Sequence, residues 1–151
     1  MLNNLGDPRT STAAAVRAGL TVVGTELTGG GGVSREGVRV CERGVGNVLR
    51  HLRVVEAGSS DAAAQRRPVF EIPGAAGYVY APVDGVFECW HDLGDTVEEG
   101  QPAGAVHFLH DPGRPPEIAR FGCSGTLYAR RSPGHTVRGN CVSVVVTEYE
   151  G

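Results

Sequence analysis

Glu26 is the residue in this sequence best placed to do chemistry. It closes the apolar, β-branched run Leu20–Glu26 (LTVVGTE) and stands just ahead of the glycine stretch Gly29–Gly32. A strand end beside a glycine turn is where open α/β sheets set their active sites. A carboxylate partly removed from water there has its pKa raised, and it can serve as general base and then as general acid. The bland alternative is a strand-end charge, paired with Arg35 or left in water.

Other chemistry-bearing residues point less far. Gly29–Gly32 frees backbone N–H groups ahead of a helix, as a phosphate cradle would. It carries neither G-x-G-x-x-G nor G-K-[ST], so a tight turn beside a cleft is the better reading. His107 and His110 (HFLH) suggest a metal pair, but a strand sends positions i and i+3 to opposite faces. They are therefore read as structural or solvated, and none of the five histidines is followed three residues later by Glu. No residue of the chain is read as a metal ligand or a cofactor contact. The four cysteines, Cys41, Cys89, Cys123 and Cys141, lie far apart with no C-x-x-C pair, which fits buried free thiols.

Composition removes whole classes of function. All 14 basic residues among the 151 are arginine, and the chain contains no lysine. Schiff-base catalysis, a P-loop lysine, and a lysine-tethered biotin or lipoyl group are thereby excluded. The formal net charge is −3, with no basic stripe to release counterions from a nucleic acid, so nucleic acid is not an expected partner. No run approaches the roughly 20 apolar residues that a bilayer requires, and Met1–Arg9 lacks the pattern of a leader. The expectation is a cytoplasmic protein with no membrane partner.

The elements that must position Glu26 alternate helix and strand. Asp7-Pro8 reads as a turn, with Thr10 or Ser11 capping an Ala-rich helix over Thr12–Ala18 that Gly19 ends. Leu20–Glu26 suits a buried strand of a helix-covered sheet. Ser34 then opens a second helix that places Val38, Cys41, Val45, Val48, Leu49 and Leu52 on one face. Gly37, Gly44 and Gly46 each weaken that helix by roughly 1 kcal/mol relative to Ala, so packing has to hold it.

Residues 57–68, within the aperiodic stretch EAGSSDAAAQRRP, read as a linker between residues 1–56 and a second body at 69–151. The second body shows short β-rich runs, no convincing helix, and a weak internal repeat. Gly85-Val86-Phe87 leads through Gly94 and Val97 to Gly100 and the apolar Ala103–Val106. Gly125-Thr126-Leu127, forty residues later, leads through Gly134 and Val137 to Gly139 and the apolar Cys141–Val146. Each hairpin exposes too much apolar face to stand alone, and two packed together would bury it. The hairpin GDTVEEG is similar to the half-motif of biotinyl and lipoyl carrier domains, but without lysine only the scaffold survives.

Taken in order, several separated motifs resemble one family. Gly24-Thr25-Glu26-Leu27 with Gly29–Gly32, then Glu42-Arg43-Gly44 and Asn47–Leu52, resemble the succinylglutamate desuccinylase/aspartoacylase family, above all its diaminobutyrate deacetylases of ectoine breakdown. Gly77-Tyr78-Val79, Ala81-Pro82, Gly85–Glu88, Asp92–Asp95, Gly100-Gln101-Pro102, Ile118–Arg120 and Arg138–Cys141 continue the likeness to the chain's end. Thr28 departs from it, interrupting a junction that usually runs directly from Leu to glycine.

The resemblance implies an α/β stub, the last strand and helix of a carboxypeptidase-like zinc-hydrolase domain, followed by an all-β, barrel-sandwich-hybrid-like domain of two interlocked hairpins. It implies a zinc-dependent deacylase that cleaves the amide bond of an N-acyl amino acid, with the zinc ligands upstream of Met1 and none in this chain. Residue by residue, only the general base carries over, and it falls on Glu26. The expected partners are then an N-acyl amino acid substrate and an upstream zinc-binding half, with a homo-oligomer left open. A reading from a different class is a non-catalytic β-sandwich binding or assembly module with an inactive stub.

Overall fold

The structure, a computed structural model, describes residues 9–56 and 68–150. They are mostly β-sheet with two α-helices and fall into two compact units, one on each side of the break. Of the expected linker, 57–68, only Pro68 lies within the described residues.

In the first unit, α1 spans Ser11–Arg17, and the Thr10 side chain accepts a hydrogen bond from the Ala13 N–H. This satisfies one of the donors that every helix start leaves without an internal partner. Helix α2 spans Arg35–His51, with the Ser34 hydroxyl oxygen accepting from the Gly37 N–H at 2.9 Å. Glu36 lies in its first turn, Arg50 and His51 in its last, each sign at the end of the helix dipole it suits.

Leu20–Glu26 is not a strand, and it is not buried: the segment is irregular, with Val23 83% exposed. A strand is a property of a ladder, and the first unit contains no second strand among its described residues to pair with. The apolar face of α2 forms as the periodicity predicts, yet Val38, Val45, Val48 and Leu52 stay exposed. Cys41, on that same face, is exposed rather than buried.

The second unit is two antiparallel sheets. One is built on β9 (Cys141–Glu148), which pairs with β1 (Phe70–Glu71), β2 (Tyr78–Tyr80) and β7 (Gly125–Arg130), while β7 also pairs with β4 (Thr96–Val97). The other runs in the order β6 (Glu117–Arg120), β5 (Pro102–His107), β3 (Gly85–Cys89) and β8 (His135–Thr136). A single 3-10 turn, Gly74–Gly77, precedes β2. The alternating apolar residues of both sheets meet in one core, which includes Val79, Phe87, Val97, Val106, Phe121, Leu127, Val142 and Val145.

Two short strands are exchanged in this unit. Strand β4 leaves its own hairpin to pair with β7 of the other, and β8 reciprocates on β3. Val97 faces Gly125 across one join, and Thr136 faces Gly85 across the other. The backbone hydrogen bonds repeat too: Leu127 N–H to the Asp95 carbonyl and Phe87 N–H to the Gly134 carbonyl, both 2.8 Å. The register corrects the sequence pairing of Val97 with Val137. The counterpart of Val97 is Thr136, fully buried, while Val137 is exposed.

No helix among the described residues is long and apolar enough to cross a membrane.

Candidate active site

Glu26 stands on the segment that leaves α1 and turns back into α2. Leu27 follows it, and from Thr28 to Gly31 four consecutive residues hold φ between 66° and 82°. That run is one left-handed turn, a conformation glycine accepts freely and a β-branched residue resists. The Thr28 hydroxyl donates to the Gly32 carbonyl oxygen at 3.4 Å and so spans the turn it begins. The tight turn that the sequence suggests for Gly29–Gly32 is present in that geometry.

The turn rests on the first turn of α2. Gly37 is buried, and a β-carbon built on it would lie 2.8 Å from the Thr28 γ-methyl and 3.6 Å from the Leu27 β-carbon. An open, largely apolar groove of about 300 Å³ runs beside this contact, lined by Leu27, Thr28, Val33, Val38 and Cys41 with Glu42 at its edge. Glu26 itself is exposed, and among the described residues it has no ion-pair partner, Arg35 included. The burial that the sequence reading gave Glu26 is therefore missing from this unit by itself.

The other candidate groups lie in the β unit. His107 ends β5, and its Nε2 is 2.8 Å from a carboxylate oxygen of Glu88 on the neighbouring β3, with both side chains about half exposed. The hydrogen bond from His107, then one from Trp90, holds the Glu88 carboxyl below its ordinary range. His110 falls in the turn after β5. The His91 Nε2 is 2.9 Å from the Pro102 carbonyl oxygen, and its ring meets Phe121 edge-on. All four cysteines are free thiols. Burial pushes the Cys123 and Cys141 thiols up, with Glu99 adding to the effect at Cys123.

Among the described residues no group of three or more His, Cys, Asp or Glu side chains could hold a metal ion. The donor set of a catalytic zinc, three protein ligands, is thus not met by these residues. Thr28 and Gly37, which stand out in the sequence only as a departure from the family pattern and a weak helix position, lie side by side in the structure. A signal for the contact is the spacing Ser34-x-x-Gly37, a cap whose recipient N–H belongs to a glycine.

No family model matches the chain. It is 33% identical, over 137 residues, to the N-alpha-acetyl-L-2,4-diaminobutyric acid deacetylase of Halomonas elongata, covering 91% of this chain and 40% of that protein. It superposes on a succinylglutamate desuccinylase/aspartoacylase from Rhodobacter sphaeroides with a TM-score of 0.81 and 35% identity, over 92% of this chain and 43% of that one. The chain is similar to the C-terminal part of succinylglutamate desuccinylase/aspartoacylase proteins. The product-bound ectoine utilization protein EutE of Ruegeria pomeroyi gives a TM-score of 0.82 at 30% identity, over 91% of this chain and 41% of that one. The chain thus spans about two fifths of the length of these relatives.

Proposed function

We propose that this chain is the C-terminal part of a zinc-dependent deacylase that hydrolyses the amide bond of an N-acyl amino acid, and that Glu26 is its general base. The observation that carries the reading is the similarity to a deacetylase across 91% of the chain. In this role Glu26 accepts a proton as water adds to the acyl carbonyl carbon. It then delivers that proton to the amine nitrogen as the carbon–nitrogen bond breaks. The turn from Thr28 to Gly31 supports the role, because it follows Glu26 with only Leu27 between them, as a carboxylate beside a glycine turn requires.

Zinc enters this reading through the resemblance alone, and the described residues do not supply its ligands. The ion and the substrate's remaining contacts belong to the zinc-binding part of the deacylase. The exposed apolar side chains of Val22, Val23, Val38, Val45 and Val48 support that division, since such residues fit an inner face covered by the rest of an α/β domain. The four free thiols suit a reducing, cytoplasmic setting.

The test combines the chain with the portion of the Halomonas elongata deacetylase that it does not match, and measures zinc content and release of acetate. Recovered activity that Glu26→Gln removes, by ~10²–10⁴-fold with zinc retained, is the expected result. Glu36→Gln, on the exposed first turn of α2, serves as the control and should leave the rate unchanged. A Glu26→Gln protein as active as its parent ends the catalytic reading. A combination with no activity leaves the binding or assembly module as the better description.

A further inference from the structure

We infer that the contact between Thr28 and Gly37 is the positioning device for Glu26: the side chain of the one seats on the bare backbone of the other and holds the turn against α2. The inference rests on the reading of Glu26 as the proton-accepting group.

Thr28 is one of two non-glycine residues with positive φ among the described residues, at 71°, and it is β-branched. A residue of that kind remains left-handed only where its surroundings overdetermine it. Two partners do so here. Its hydroxyl reaches the Gly32 carbonyl oxygen, and its γ-methyl occupies the place where any side chain at position 37 would begin.

Gly37 is also the residue whose N–H the Ser34 hydroxyl caps, and it is the buried residue of α2. Three groups therefore converge on one helical backbone position: Ser34 at its nitrogen, Thr28 and Leu27 over its α-carbon. Glu26 is bonded directly to Leu27. Movement of Leu27 and Thr28 off the helix swings the Glu26 backbone with them, and a carboxylate displaced by about 1 Å loses much of its use as a base.

The prediction turns on one methyl group. Gly37→Ala adds a β-carbon 2.8 Å from the Thr28 γ-methyl and, less tightly, 3.2 Å from the Ser34 hydroxyl oxygen, so Thr28 and the turn it begins must give way. Thr28→Ser deletes that methyl and keeps the hydroxyl, so the double variant Gly37→Ala/Thr28→Ser lets the turn settle back. Alanine favours helix over glycine, so far-UV circular dichroism should report an intact α2 throughout.

The experiment uses the full chain, isotopically labelled, with residual dipolar couplings measured for the Glu26, Leu27 and Thr28 amides against those of α2. In the parent these amides should fit one orientation with the helix, and the Thr28 methyl should show cross-relaxation to the Gly37 α-protons. Gly37→Ala should break the fit, and the double variant should restore it. In the combined deacylase, kcat should fall about tenfold or more for Gly37→Ala with KM little changed, and recover in the double variant.

The inference is overturned if the parent lacks the Thr28–Gly37 cross-relaxation, if Gly37→Ala leaves the Glu26 couplings unchanged, or if Thr28→Ser fails to rescue them. These couplings are read without any activity. If they behave as stated while Glu26→Gln stays active, the catalytic reading falls and the device is local architecture only.

Discussion

Thr136 occupies in one half of the β unit the place that Val97 occupies in the other. Each pairs across a strand exchange with the glycine that opens the opposing hairpin, Gly85 for Thr136 and Gly125 for Val97. Both are fully buried, but the Thr136 hydroxyl has no hydrogen-bond partner among the described residues. A buried hydroxyl left unpaired costs about 1–3 kcal/mol in lost hydration. Thr136→Val should therefore stabilise the chain by about 1 kcal/mol, seen as a higher urea midpoint with an unchanged m value. A lower midpoint would mean that the hydroxyl is satisfied and that the two halves are less alike than their register.

That pair also marks how far the sequence can be read. The glycines of those two joins, Gly85 and Gly125, stand out in the sequence because glycine, strand and turn recur at nearly constant spacing, a local pattern. The sequence misplaces the counterpart of Val97 by one residue because Val137, like Val97, stands shortly ahead of a glycine, and only strand register singles out Thr136. Leu20–Glu26 reads as a strand, against the structure, for the opposite reason. Its composition suits a strand, but strand formation depends on neighbours, and the first unit has none among its described residues. Glu26 itself was singled out from local residues, whereas the contact that seats its turn joins Thr28 to a helical glycine nine positions on, with no local periodicity to announce it.

Glu88 and His107 form an exposed cross-strand pair 2.8 Å apart, and the Glu88 carboxyl is held below its ordinary value of 4.5. A carboxylate with a lowered folded-state pKa favours folding above its ordinary pKa, and the benefit fades as pH falls through the lowered value. Glu88→Gln should thus be less stable than the parent near neutrality, and the gap should close on acidification below about pH 4.5. Melting temperatures of both proteins at neutral and acid pH give the answer. A gap that stays constant or widens in acid would remove the pair from any account of stability.

The cysteines should separate by reactivity. Cys41 is exposed on α2, whereas burial raises the Cys123 and Cys141 thiols and so lowers their thiolate fraction at neutral pH. Alkylation followed by peptide mass spectrometry should label Cys41 before either of them. Adding the uncovered part of a deacylase should then slow Cys41 selectively, because Cys41 shares the exposed face of Val38, Val45 and Val48. Uniform labelling, or a Cys41 rate that ignores the added part, would argue that this face is never covered.

The two glycines that open the hairpins should tolerate no side chain. A β-carbon on Gly85 would run into the His107 carbonyl oxygen, and one on Gly125 into that of Val146. Both obstacles are backbone atoms in the paired strands β5 and β9, so neither can rotate aside as a flexible side chain would. Relief requires the strands to part where β8 and β4 cross between the sheets, and overpacking of this kind costs at least about 2 kcal/mol. Gly113→Ala is the control: a β-carbon there finds its nearest neighbour, the Asp111 carboxylate, 3.9 Å away. It should change stability by no more than about 0.5 kcal/mol. Urea unfolding of Gly85→Ala, Gly125→Ala and Gly113→Ala should therefore divide two to one. If Gly85→Ala unfolds like Gly113→Ala, the strands have slack at the crossing, and the exchange of β4 and β8 is looser than its register.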